Sequence, residues 1–167
     1  MSSKLNEVRA LRTVTRHISN VQKNMRKVIR PLTERAEVHD QSKLQDDEFY
    51  AVLHYQKLDG YRYGSDEYKA AMDEIRPFTE KGWQLHTERN RHHPEHHGDD
   101  VSTMNFLDII EMVCDWKAAN ETYNTSGQTF RDAALECKKR YNFSEGQEWL
   151  IFQLIIFLDD FKPPKDS

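Results

Sequence analysis

Apolar residues in this chain recur at intervals of three and four and nowhere alternate at intervals of two, which restricts the fold to helices. Between Leu5 and Ile29 the residues Val8, Leu11, Ile18, Val21, Met25, Val28 and Ile29 mark a long amphipathic helix that Pro31 ends or bends. A short helical segment over Thr33 to His39 follows, then a helix from Asp47 to Leu58 stopped by Asp59-Gly60. Ser65-Asp66-Glu67 opens a helix running towards His86, which Pro77 should kink or split. Ser102 or Thr103 can cap a helix reaching about Asn120, with Met104, Leu107, Ile110, Val113 and Cys114 on its buried side. Another helix spans Thr129 to Tyr141. Ser144-Glu145-Gly146-Gln147 is a capping box for the last helix. That helix, with Trp149, Leu150, Phe152, Leu154, Ile155, Phe157 and Leu158, is apolar nearly all round, as suits a central packing helix or half of a dimer interface. The expected fold is all-α: a single globular bundle of six or seven helices over residues 1–162, with a short tail over 163–167.

At 167 residues the chain has the length of one domain with a core of its own. Its formal net charge of −4 argues against general binding to nucleic acid or anionic membrane. The basic run Arg9, Arg12, Arg16, Lys23, Arg26, Lys27 and Arg30 reads as a solvated face of the first helix. Cys114 and Cys137 lack metal-ligand spacing and read as two buried thiols in a reducing compartment. The first residues lack the apolar core of a signal peptide, and the run from Trp149 to Leu158 is too short to span a bilayer, so the cytoplasm is the expected location.

The polar residues carry the chemistry. His39-Asp40-Gln41-Ser42-Lys43 sets an imidazole, a carboxylate and an ammonium within about one helical turn, a group suited to a divalent metal and an anion held against it. Five of the eight histidines crowd between His86 and His97, where Pro94 disfavours helix at His93 and a helix end followed by a tight loop is expected. Glu111 and Asp115, four apart, face the same way. His17, His39, Asp40 and Asp115 together make a mixed nitrogen and oxygen set suited to manganese, iron, cobalt, nickel or zinc.

The order H…HD…D resembles that of the HD-domain metal-dependent phosphohydrolases, all-α proteins that hold one or two divalent ions on those four side chains. A closer resemblance is to a family of small proteins common in bacteriophages and bacteria, with the patterns H-D-x-S-K, N-x-H-H-P-E and D-x-x-E-M-x-x-D-W. Here they are His39 to Lys43, Asn90 to Glu95 and Asp108 to Trp116. The resemblance implies that His17, His39, Asp40 and Asp115 hold the first metal and that Asp40 bridges to a second. His86, His92 and His93 would serve a second metal or a phosphate, and Asn90 would help to bind the substrate. Lys43 would meet a phosphate oxygen unless it pairs with Asp47 or Glu48, and Glu111 would orient a water or a ligating histidine. The implied activity is hydrolysis of a phosphate ester, first a nucleotide or deoxynucleotide monophosphate, in the host cytoplasm if phage-encoded. Trp83, Tyr61, Tyr63 and Trp116 are candidates to stack on a base. The competing expectation is a metal-containing helical binding protein that sequesters a nucleotide or a protein partner without cleaving anything. A homodimer is compatible with either.

Overall fold

The computed structural model describes residues 2–98, 100–124 and 126–160. Within them the chain is helical and no strand is present. Six α-helices follow in order: α1 (Ser2–Val38), α2 (Asp46–Tyr55), α3 (Asp66–Arg89), α4 (Phe106–Tyr123), α5 (Phe130–Lys138) and α6 (Glu145–Asp160). Single 3-10 turns at Gln41–Leu44, Gln56–Leu58, Pro94–His97 and Val101–Thr103 link them. The tail expected over 163–167 lies outside the described residues. By its contacts the chain forms two compact units, Met1–His39 and Asp40–Ser167. Among the described residues, no helix is long and apolar enough to cross a membrane.

The first unit is α1 itself, which runs through Pro31 instead of stopping there. A proline inside a helix removes one backbone donor, but its neighbours can hold the helical path. Arg30 Nε donates to Glu34 Oε1 at 2.7 Å across the proline, and Thr33 Oγ1 donates to the Ile29 carbonyl at 3.2 Å. The same device recurs in α3, which is likewise continuous through Pro77. There Thr79, two residues past the proline, donates to the carbonyl of Ile75 at 3.3 Å.

In the second unit two packings set the frame. The first joins α2 to α3, where Ala51, Ile75 and Thr79 are buried. Gly82 makes it close: a Cβ there would stand 2.6 Å from Ala51 Cβ and 2.7 Å from the Asp47 carbonyl oxygen. The second packs α4, α5 and α6 around Ile109, Met112, Val113, Phe130, Ile151 and Ile155. Each such side chain taken from water contributes about 1.5–3 kcal/mol. α6 therefore is a packing helix, but on one side only: Trp149, Phe152 and Phe157 face outward.

The start of α4 differs from the sequence expectation. Val101–Thr103 is a separate 3-10 turn, and the cap is Asn105, whose Oδ1 accepts from the amides of Leu107 and Asp108 while Asp108 Oδ2 accepts from the Asn105 amide. Nor is Cys114 buried. The inner face of α4 centres on Ile109, Met112 and Val113, so position 114 falls beyond its margin; Cys114 is exposed and Cys137 half-buried.

Candidate metal centre

The histidine-rich stretch is built from the end of α3 outward. The α3 cap, Asn90, returns its side-chain amide to the His86 carbonyl at 2.8 Å and donates to Ser42 Oγ at 3.1 Å. Its carbonyl then accepts the His93 amide, and Pro94 opens the next 3-10 turn, so the chain reverses within four residues. Outside this turn, His96 Nδ1 lies 3.0 Å from the Thr87 carbonyl, His97 Nε2 3.0 Å from the Arg91 carbonyl, and Glu95 accepts from Tyr141 Oη at 2.5 Å. His96 and His97 thus brace the loop. His92 and His93 turn inward.

Asp40 reaches the same place from the other side. Its backbone is left-handed, φ 53°, and among the described residues it is the sole non-glycine with positive φ. Aspartate tolerates this conformation better than most residues, and strain of this kind collects at functional sites. Its carbonyl accepts the Lys43 amide at 2.9 Å, which starts the 3-10 turn.

Two imidazoles converge on the Asp40 carboxylate, each oriented by a second carboxylate. His86 is buried, with Nδ1 2.9 Å from Glu48 Oε2 and Nε2 3.4 Å from Asp40 Oδ1. His92 is 1% exposed, with Nδ1 3.4 Å from Glu111 Oε1 and Nε2 3.5 Å from Asp40 Oδ1. Ionised carboxylates only accept, so a proton on Nδ1 of each ring would satisfy Glu48 and Glu111 and leave the two Nε2 atoms beside Asp40 as the nitrogen donors a metal needs. His93 Nε2 sits 2.8 Å from His86 Nε2, and Asp115 Oδ2 lies 4.0 Å from His92 Nε2.

The electrostatics favour the ligand form. Burial, opposed by Asp40 and Glu48, holds the His86 pKa below its usual value. Burial, with the charges of His92 and His86 added, pushes His93 down to about 2. Burial alone would raise Glu48, but hydrogen bonds from Ser42, His86 and Arg89 outweigh it and hold the carboxyl below the usual range. Ser42 Oγ donates to Glu48 Oε2 at 2.7 Å and Arg89 Nη1 to Glu48 Oε1 at 2.8 Å.

Asp40, His86, His92 and His93 offer ligand atoms that all lie within 4.8 Å of one another, and so do Asp40, His92 and Asp115. This cluster could hold a metal ion. Donors about 2.1 Å from an ion stand about 3.0 Å apart in octahedral and about 3.4 Å apart in tetrahedral arrangement. The 3.4 and 3.5 Å separations from Asp40 Oδ1 have that size and are long for hydrogen bonds.

The second unit thus gathers most of the residues expected from the sequence: Asp40, Lys43, His86, Asn90, His92, His93, Glu111 and Asp115. His17 lies on α1 and His39 follows its end, both in the first unit. Lys43 pairs with neither Asp47 nor Glu48: its Nζ stands 2.5 Å from Asp40 Oδ2, while Lys81 takes Asp47. Burial lowers the Lys43 pKa, but the Asp40 bond outweighs it and leaves the ammonium above its ordinary value. Asp108, the first acid of the α4 pattern, is fully buried in the helix cap, with Arg91 Nη2 3.4 Å away. Of the aromatics, Trp83 is edge-on to His93 with ring centroids 5.2 Å apart, and Trp116 packs on the core. Tyr63 receives a hydrogen bond from Arg140 at 3.0 Å, and Tyr61 is exposed. Glu48 carries no local signal in the sequence, because its partner His86 is 38 residues away.

A family model described as a family of unknown function, DUF5662, matches residues 6–155. No curated protein and no solved structure matches the chain.

Proposed function

The chain belongs to that family, DUF5662, and from the cluster it carries we propose that it is a metal-dependent phosphohydrolase acting on a phosphate ester, a nucleotide or deoxynucleotide monophosphate in the first instance. The observation behind this reading is the pair of carboxylate-oriented imidazoles, Glu48–His86 and Glu111–His92, whose Nε2 atoms both address Asp40 Oδ1. Neutral nitrogen donors beside carboxylates suit manganese, iron, cobalt, nickel or zinc. Asp40, His86, His92 and His93 would hold one ion, and Asp40 and Asp115 offer carboxylate oxygens for a second. Such an ion supplies a water acidic enough to ionise near neutral pH and offsets charge building on phosphoryl oxygen.

The chain's own groups complete the reading. Glu111 holds His92 in its ligating tautomer and Glu48 does so for His86. Lys43, about one-third exposed, presents a positive charge beside Asp40 to an incoming phosphate. Trp83, at the rim of His93, offers an aromatic surface to a base.

One observation favours a second reading, a metal-containing binding protein that sequesters a nucleotide or protein partner without turnover. Lys43 is already paired with Asp40, so its charge is partly spent inside the cluster.

Metal content of untagged protein by mass spectrometry, followed by phosphate release from a panel of nucleotides, separates the two. One or two equivalents of a transition metal are expected, lost in Asp40→Asn and His92→Ala. Asparagine suits the left-handed backbone, so Asp40→Asn removes the charge alone. His17→Ala and His39→Ala, whose ligand roles rest on the sequence pattern, belong in the same series. Metal without phosphate release supports the binding protein. A wild type that stays metal-free after incubation with each candidate ion sinks both readings.

A further inference from the structure

α1 carries a second pattern that the metal centre does not use. From Leu11 its apolar residues step by three and four in strict alternation: Leu11, Val14, Ile18, Val21, Met25 and Val28, with Leu32 next in register. That is the interval of 3.5 that faces one helix with another, narrower than the stripe a helix needs to lie on a globular core. A lone helix cannot cover its own stripe, and in α1 Leu11 is 67% exposed, Ile18 50% and Met25 58%.

The charges are sorted around this seam. The flanking positions on one side are Val8, Thr15, Gln22 and Ile29, and on the other Ala10, His17, Asn24 and Pro31, with no lysine, arginine or acid among them. All seven basic residues from Arg9 to Arg30 stand on the remaining positions, away from the seam. In a helix meeting an acidic partner the basic residues would flank the contact. Here two copies of α1 can approach without opposing like charges.

The seam from Leu11 to Leu32 rises about 32 Å, roughly three heptads of a two-helix contact.

We infer that α1 seats its Leu11–Val28 seam against the α1 of a second copy of this chain, making the protein self-associate through a coiled coil. This does not depend on the proposed activity. It differs from self-association through the outward aromatic face of α6, and the two are distinguishable by mutation.

Sedimentation equilibrium of the full-length protein over a range of concentrations tests it. The wild type is expected at twice the chain mass of 19.8 kDa or a higher multiple. Ile18→Glu with Met25→Glu should fall to the single-chain mass, with helix content held in circular dichroism because glutamate is a good helix former. Should that variant fold poorly, Ile18→Ala with Met25→Ala keeps an apolar surface and should raise the dissociation constant by at least roughly a hundredfold. Arg16→Glu with Lys23→Glu, outside the seam, should leave the mass unchanged. A wild type that stays at the single-chain mass overturns the inference, as does an assembly that survives both seam variants.

Discussion

Glu48 and Glu111 do the same job on different imidazoles, and the two are unequally visible. Glu111 sits inside a motif, four residues before Asp115, and helical spacing alone puts both on one face. Glu48 reaches His86 only because α2 and α3 pack together, and a contact of that range leaves no local trace. The consequence is measurable. Glu48→Gln should weaken metal binding about 10–100-fold, read by competition with a chelating indicator, because a neutral amide orients the His86 ring less firmly. Glu48→Ala should also lower stability by about 2 kcal/mol in denaturant unfolding, since Ser42, His86 and Arg89 all lose their shared acceptor. The motif histidines divide for a similar reason: His92 and His93 precede Pro94 and His96 and His97 follow it. Only the folded loop shows that the first pair faces the cluster while the second braces the backbone.

Periodicity carried most of the helical elements, and the exceptions have physical causes. Proline rules place breaks at Pro31 and Pro77, yet both helices continue, each with a threonine two residues on that bonds back across the disturbed turn. Ser102 and Thr103 resemble caps, but Asn105 with Asp108 forms the complete reciprocal box, and the complete box wins. Gly82 has no motif around it, yet it sets the spacing of α2 against α3. Gly82→Ala should cost about 1–3 kcal/mol of stability despite alanine's better helix propensity, because the added methyl meets Ala51 and the α2 backbone. The same variant should lower metal affinity, since moving α2 moves Glu48. A melting temperature equal to or above wild type would show that the approach is looser than described.

At the scale of the molecule, the charge of −4 conceals a division: α1 is basic and the acidic residues concentrate beyond it. The all-α class and the stretches forming the centre were legible in the sequence because both depend on local spacing. The assembly of two carboxylate–imidazole pairs around Asp40 was not, since it depends on where α2, α3 and α4 meet. If an ion binds the folded cluster and not the unfolded chain, it stabilises the whole second unit. At free metal a thousandfold above its dissociation constant the gain is about 4 kcal/mol, so adding a chelator should lower the melting temperature by several degrees. Asp40→Asn should melt at the same temperature with and without chelator.

The loop that presents His92 and His93 is fastened by groups that need not touch an ion: Asn90 to the His86 carbonyl, His96 to Thr87, His97 to Arg91, and Glu95 to Tyr141. Its conformational entropy is therefore surrendered when the chain folds rather than when a guest arrives. An ion binding here would meet a receptor already in shape, so capture would proceed without waiting for backbone rearrangement, and discrimination among ions would fall to donor chemistry and the spacing of a stiff frame.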